Sequence, residues 1–207
     1  MKKFIDCLLV KIGICLSYMS ISVVGKVLHG CRDKIYSGYL RRRFAHIGHS
    51  FFRWHPYSLI GTEFISIGDG CTFEKGLQLT AWHIENSIPK IVIGNNCLFR
   101  CNAHITATNS ITIGDNLLTG TNVFITDNAH GQTNLKALEM TPDSRPLYSK
   151  GAVSIGRNVW LGNNVCVLPG VTIGNGVVVG ANSVVTHDIP DYCIAAGTPA
   201  RIIKKLA

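Results

Sequence analysis

Histidine is the side chain whose charge changes nearest neutral pH, so it is the first place to look for proton transfer. Among the chain's eight histidines, His130 ends the run Thr126-Asp127-Asn128-Ala129-His130, at the start of a stretch, 126–152, that contains Pro142 and Pro146. An imidazole held there could act as a general base, a role that typically contributes ~10²- to 10⁴-fold, or be an ordinary surface-loop histidine. Asp127 could orient that ring, or it could bond its own backbone, as Asp in turns commonly does. In extended chain residues 128 and 130 point to the same side, so Asn128 shares the surface that His130 faces. His83 and His104 are candidates for contacts to an acceptor or are merely solvated. No close histidine pair accompanies them, and no metal site is expected. The eight cysteines contain no C-x-x-C pair, so neither a zinc ribbon nor a disulfide framework is indicated. They read as small buried hydrophobes in a reducing cytoplasm.

What could position these residues is written in a six-residue period. Ile155, Leu161, Val167, Ile173, Val179 and Val185 recur every six positions, and Val153, Val159, Val165, Val171 and Val177 do the same two residues earlier. Asn158, Asn164, Gly170, Gly176 and Asn182 hold the same phase, and these residue types tolerate a left-handed backbone. Each hexapeptide is therefore a short strand followed by a sharp corner. Ile67-Gly68-Asp69-Gly70, Ile93-Gly94-Asn95-Asn96 and Ile113-Gly114-Asp115-Asn116 carry the same pattern. Three hexapeptides close one triangular coil, and successive coils stack ~4.8 Å apart as three parallel sheets around an aliphatic interior. The expected fold is all-β, a left-handed parallel β-helix over 56–198, with 126–152 thrown out of the coil as a loop. A second interruption is expected at 74–90, around Trp82 and His83. Residues 1–55 read as a basic, helical N-terminal cap, and 199–207 as a short C-terminal helix beginning after Pro199.

Charge divides the chain in the same way. Of its 20 Lys and Arg, ten lie in residues 1–53 against only Asp6 and Asp33, whereas the remainder is balanced. Such a segment suits an anionic partner, while the neutral body argues against nucleic acid. The uncharged run Ile12–Gly25 is shorter than the ~20 residues of a spanning helix. Peripheral contact with the inner face of the cytoplasmic membrane and ordinary helical packing both remain open for residues 1–53.

The runs Ser154-Ile-Gly-Arg-Asn-Val-Trp-Leu-Gly, Pro169-Gly-Val-Thr-Ile-Gly, Gly180-Ala-Asn-Ser-Val-Val-Thr-His-Asp-Ile-Pro and Ala196-Gly-Thr-Pro-Ala-Arg201 resemble the hexapeptide-repeat acetyltransferases. Within them the resemblance is to the galactoside/maltose-type and polysaccharide O-acetyltransferases, and it covers roughly residues 60–207. It implies an acetyl-CoA-dependent O-acetyltransferase acting on a sugar or glycan acceptor, a homotrimer with sites between neighbouring prisms, and a histidine base on the ejected loop without an acyl-enzyme. That base falls on Asn128 or His130 according to the alignment, and His130 is the histidine of the pair. Asn102 falls on the asparagine that contacts acetyl group and acceptor. The family's acceptor-binding aspartate would fall near Ala107 or Thr108, neither of them acidic, which points to an acceptor other than a galactoside or maltose. Trp160 and Gly162 are implied to line the pantetheine groove, Ala181 and Thr186 to contact CoA, and Arg201 with Lys204 to meet its phosphates. An N-acetyltransferase of an amino-sugar nucleotide or xenobiotic, and a non-catalytic β-helix scaffold, are the alternatives.

Overall fold

The computed structural model describes residues 2–17, 21–53, 56, 58–85 and 87–206. Met1, residues 18–20 and 54–55 of the first expected segment, residue 57, residue 86 of the second interruption and Ala207 lie outside the described residues. Two helices come first, α1 (Lys2–Leu16) and α2 (Ile21–Leu40). The rest of the chain winds through three largely parallel sheets. Sheet one runs from His46–Ile47 through Ile65–Ile67, Lys90–Ile93, Ser110–Ile113 and Val153–Ile155 to Thr172–Ile173. Sheet two runs from Phe51–Phe52 through Thr72–Phe73, Leu98–Phe99, Leu118–Thr119, Trp160–Leu161 and Val178–Val179 to Cys193–Gly197. Sheet three contains Ser58–Ile60, Gln78–Ala81, His104–Ala107, Phe124–Thr126, Cys166–Val167 and Val184–Val185.

Register explains why the six-residue period worked. Ile67, Ile93, Ile113, Ile155 and Ile173 stand in one inward column of sheet one, while Leu79, Ile105, Ile125, Val167 and Val185 form another in sheet three. All ten are buried, and each such side chain contributes about 1.5–3 kcal/mol by leaving water. The corners use left-handed backbone at the expected phase, with φ of 57° at Asn158, 57° at Asn164, 81° at Gly170, 64° at Gly176 and 60° at Asn182. At the first coils the interior changes from aliphatic to aromatic. Phe52, Phe73 and Phe99 stack with ring centroids 4.7 and 4.9 Å apart, and Phe44 continues the stack 5.7 Å beyond Phe52.

Several boundaries differ from expectation. The coil begins at His46 rather than 56, because His46–Ile47 and Phe51–Phe52 already pair in parallel with the next rung. Helix α2 is tied to that first coil through buried Leu40 and Ser37, whose Oγ accepts the Phe52 N–H at 2.9 Å. The expected C-terminal helix is a strand instead: Ala200–Lys205 pairs antiparallel with Cys193–Gly197. Its residues satisfy the edge of sheet two, whereas a helix would leave that row of backbone donors and acceptors unpaired. The second interruption shrinks to 82–89, since Gln78–Ala81 is a regular strand. Cysteine burial holds for Cys71, Cys97 and Cys193, but Cys7, Cys15 and Cys31 are exposed, because the helices that carry them have no packed layer over those faces.

Candidate active site

The coil is left at Thr126 and regained at Val153. Between them the chain is not irregular: Asn128–His130 and Leu147–Ser149 form an antiparallel pair, with His130 opposite Leu147. A short helical turn, Leu135–Leu138, is capped by Asn134, whose side-chain oxygen accepts the Ala137 N–H at 2.8 Å. The Arg145 guanidinium donates to the Met140 carbonyl at 3.0 and 3.1 Å and closes the loop on itself.

This excursion overhangs the outer face of sheet three and encloses a groove of ≈ 520 Å³. Outward positions of the strands make its floor, one column reading Ser58, Gln78, His104, Phe124 and the next Thr80, Thr106, Thr126. Asn128, His130, Arg145 and Leu147 line it from the loop, and Trp82 closes it near the second interruption. His130 is exposed, while Asn128 is half-buried and donates its amide to the Thr106 carbonyl at 3.2 Å. His104 is half-buried beside Phe124, ring centroids 4.9 Å apart, and burial lowers its pKa below the ordinary histidine value. The Thr80 Oγ1 is buried and has no hydrogen-bond partner, an arrangement that costs about 1–3 kcal/mol until a ligand or water meets it.

Asp127, by contrast, does not orient His130. Its carboxylate is fully buried and accepts the N–H of Thr108 at 2.8 Å, the N–H of Asn109 at 2.9 Å and the Asn128 amide at 3.1 Å. Burial and these donors fix it as the cap of the neighbouring corner. Asn102 is also a corner residue, with φ 60°. Its amide opens a ladder along the edge between sheets two and three, donating to Asn122 at 3.0 Å; Asn122 donates to Asn164 and Asn164 to Asn182. The ladder needs a bare backbone beneath it: a Cβ on Gly76, at φ +77°, would lie 2.1 Å from the Asn102 Oδ1. Asn102 does not line the groove.

Along that same edge Gly162 and Ala181 touch, since a Cβ on Gly162 would lie 2.6 Å from the Ala181 nitrogen. Trp160, half-exposed, stands on the adjoining outer face of sheet two, in register with Leu118 and Val178. Arg201 and Lys204 are exposed on the final strand of that sheet. Thr186 sits apart at the next corner, its hydroxyl 2.7 Å from His187 Nδ1. Sequence reasoning missed Thr80, Thr106, Phe124 and Arg145. The first three were legible as outward positions two residues apart in the sheet-three hexapeptides.

Comparison with known proteins matches residues 152–187 to the family described as bacterial transferase hexapeptide (six repeats), and residues 90–127 to the hexapeptide repeat of succinyl-transferase. The chain is 45% identical over 145 residues to WbbJ of Escherichia coli (strain K12), named as a lipopolysaccharide biosynthesis O-acetyl transferase, covering 68% of this chain and 71% of that protein. It is 34% identical over 154 residues to the galactoside O-acetyltransferase of the same strain, covering 72% and 68%. The chain belongs to the hexapeptide-repeat acyltransferases. Among solved structures of this family it matches the hexapeptide-repeat acetyltransferase VCA0836 from Vibrio cholerae, complexed with acetyl-coenzyme A, with a TM-score of 0.55 and 26% identity over 84% of this chain and 79% of that one. This acyltransferase carries His130 on a loop that leaves its three-sheet coil at Thr126 and rejoins it at Val153.

Proposed function

We propose that the chain transfers the acetyl group of acetyl-CoA to a sugar hydroxyl in a surface-polysaccharide precursor. In this reading it works as a homotrimer of left-handed β-helices, with each site between neighbouring prisms. The observation that carries it is the groove beneath the ejected loop, where exposed His130 and half-buried Asn128 face a floor of hydroxyl, amide and aromatic side chains. Such a floor suits a sugar: Trp82 offers an apolar plane, and the partnerless Thr80 hydroxyl offers a hydrogen bond. Kinship with a protein named for lipopolysaccharide biosynthesis and with a galactoside O-acetyltransferase supports the acceptor class.

The chemistry is a direct displacement. His130 takes the hydroxyl proton as the oxygen attacks the thioester carbonyl; the C–O bond forms, the C–S bond breaks, and the proton passes to the departing sulfur. Backbone N–H groups at a corner can stabilise the developing oxyanion. Direct transfer requires no acyl-enzyme, so none of the cysteines need act as a nucleophile. Pantetheine would lie along the edge marked by Trp160, Gly162 and Ala181, with Arg201 and Lys204 at the phosphates, where charge-assisted bonds are strongest. Asn102 stands on that edge and would meet the reacting groups from the neighbouring prism. A peripheral place at the inner face of the cytoplasmic membrane fits helix α1, which exposes Phe4, Leu9, Val10 and Ile14 beside Lys3 and Lys11. No helix among the described residues is long and apolar enough to cross a membrane.

The test is CoA thiol release from acetyl-CoA over a panel of sugars and lipid-linked oligosaccharides. His130→Ala should lose at least about 10²-fold in kcat while CoA binding persists, and Asn128→Ala should lose less. Full activity in His130→Ala would place the base elsewhere.

A further inference from the structure

A second groove, ≈ 610 Å³, lies between helix α2 and the first rungs of sheet two, and no step of acyl transfer described above uses it. Lys26, His29, Arg32 and Lys34 enter it from the helix, and Arg53 and Lys75 from the coil. Its two acids are already engaged. Asp33 is ion-paired with Arg32 at 2.7 Å, and Glu74 with Arg100 at 2.9 Å while also accepting the Cys101 thiol. Among the described residues, Lys26, Lys34 and Lys75 make no ion pair. Lys26, Lys34 and Lys75 repel one another across one concave volume, and Arg53, which shares Glu74 with Arg100, adds to the positive excess that an anion relieves.

Position narrows the anion. Phe51 and Thr72, in the groove, lie on the sheet-two face that continues through Leu98 and Leu118 to Trp160. Thr72 is three rungs from Trp160, about 14 Å at ~4.8 Å per rung. We propose that this groove binds the phosphate or pyrophosphate of a phosphorylated acceptor, holding its sugar along the face that leads to Trp160. Lysine and arginine are the side chains that phosphate oxygens select, and a sugar carried on the diphosphate would extend from the groove along this face towards Trp160. The placing of the sugar rests on the acyl-transfer reading; binding of the phosphate does not.

The experiment is therefore a binding measurement. Titrating the full chain calorimetrically with inorganic pyrophosphate should show saturable binding that weakens at least tenfold in Lys34→Ala/Lys75→Ala and survives in Lys34→Arg/Lys75→Arg. Thermal melts of each variant check that it is folded. Absence of binding to the parent overturns the proposal, as does equal binding to the double alanine variant, or a loss confined to Arg201→Ala/Lys204→Ala. Two further arms identify the source. Uridine diphosphate binding more tightly than pyrophosphate supports a nucleotide-linked acceptor; co-sedimentation with phosphatidylglycerol but not phosphatidylcholine vesicles, lost in the same double variant, supports a lipid-linked one. Inactivity of His130→Ala or its absence leaves each of these outcomes unchanged, so the two readings fail separately.

Discussion

His104 and Asp127 show how much one side chain's surroundings decide. Burial holds the His104 imidazole neutral, with a folded pKa below the ordinary histidine value near 6.5. Its unfolded form therefore takes up a proton before its folded form does. Stability attributable to it is fully present above the unfolded pKa and is lost as pH falls from there towards the folded pKa. Denaturant midpoints measured from pH 7.5 downwards should fall less steeply below about pH 6.5 in His104→Gln than in the parent; equal slopes would place the titration elsewhere. Asp127 makes the opposite case. Two backbone N–H groups and the Asn128 amide converge on its buried carboxylate, so Asp127→Ala should cost about 2–4 kcal/mol of stability. A ring-orienting role would instead lower kcat and leave the melting temperature alone. The candidate base at His130 was legible in the sequence because it is the histidine of a run that breaks the period. Asp127's role was not, because its partners at 108–109 are one whole coil away.

Elements here owe their form to corners more than to strand propensity, since many strands are only two residues long. That is why the repeat exposed the coil so fully, and why its ends escaped. The first rung, His46–Ile47 and Phe51–Phe52, is built on an aromatic stack rather than the aliphatic period. The last strand follows a proline that would equally well open a helix. Corner geometry also predicts where substitution hurts. At Gly61, φ is +62° and a Cβ would lie 2.0 Å from the Ala81 carbonyl oxygen, a backbone atom that cannot swing away. Gly61→Ala should therefore destabilise by about 1–3 kcal/mol, read as a lower melting temperature. In helix α1 the same change at Gly13 meets nothing within 4 Å and should stabilise by up to about 1 kcal/mol.

At the scale of the whole molecule, His130 and Trp160 serve different faces of one prism. His130 overhangs sheet three, whereas Trp160 stands on sheet two among partly exposed Leu118 and Val178. If base and pantetheine groove belong to one reaction, a neighbouring copy must bring the second face to the first, and a closed three-fold ring does so three times over. Complementation tests this directly. In the proposed trimer, His130→Ala and Trp160→Ala should each be slow at sub-saturating acetyl-CoA. When the two chains are co-expressed in equal amounts, random assembly pairs an intact His130 from one chain with an intact Trp160 from the other in about a quarter of the sites, so activity should recover towards a quarter of the parent's. Mixed trimers that stay as slow as either variant would mean that one prism supplies both residues. The loop would then have to reach around the edge between sheets two and three that the Asn102–Asn182 ladder marks, with its hydrogen bonds of 2.9–3.0 Å.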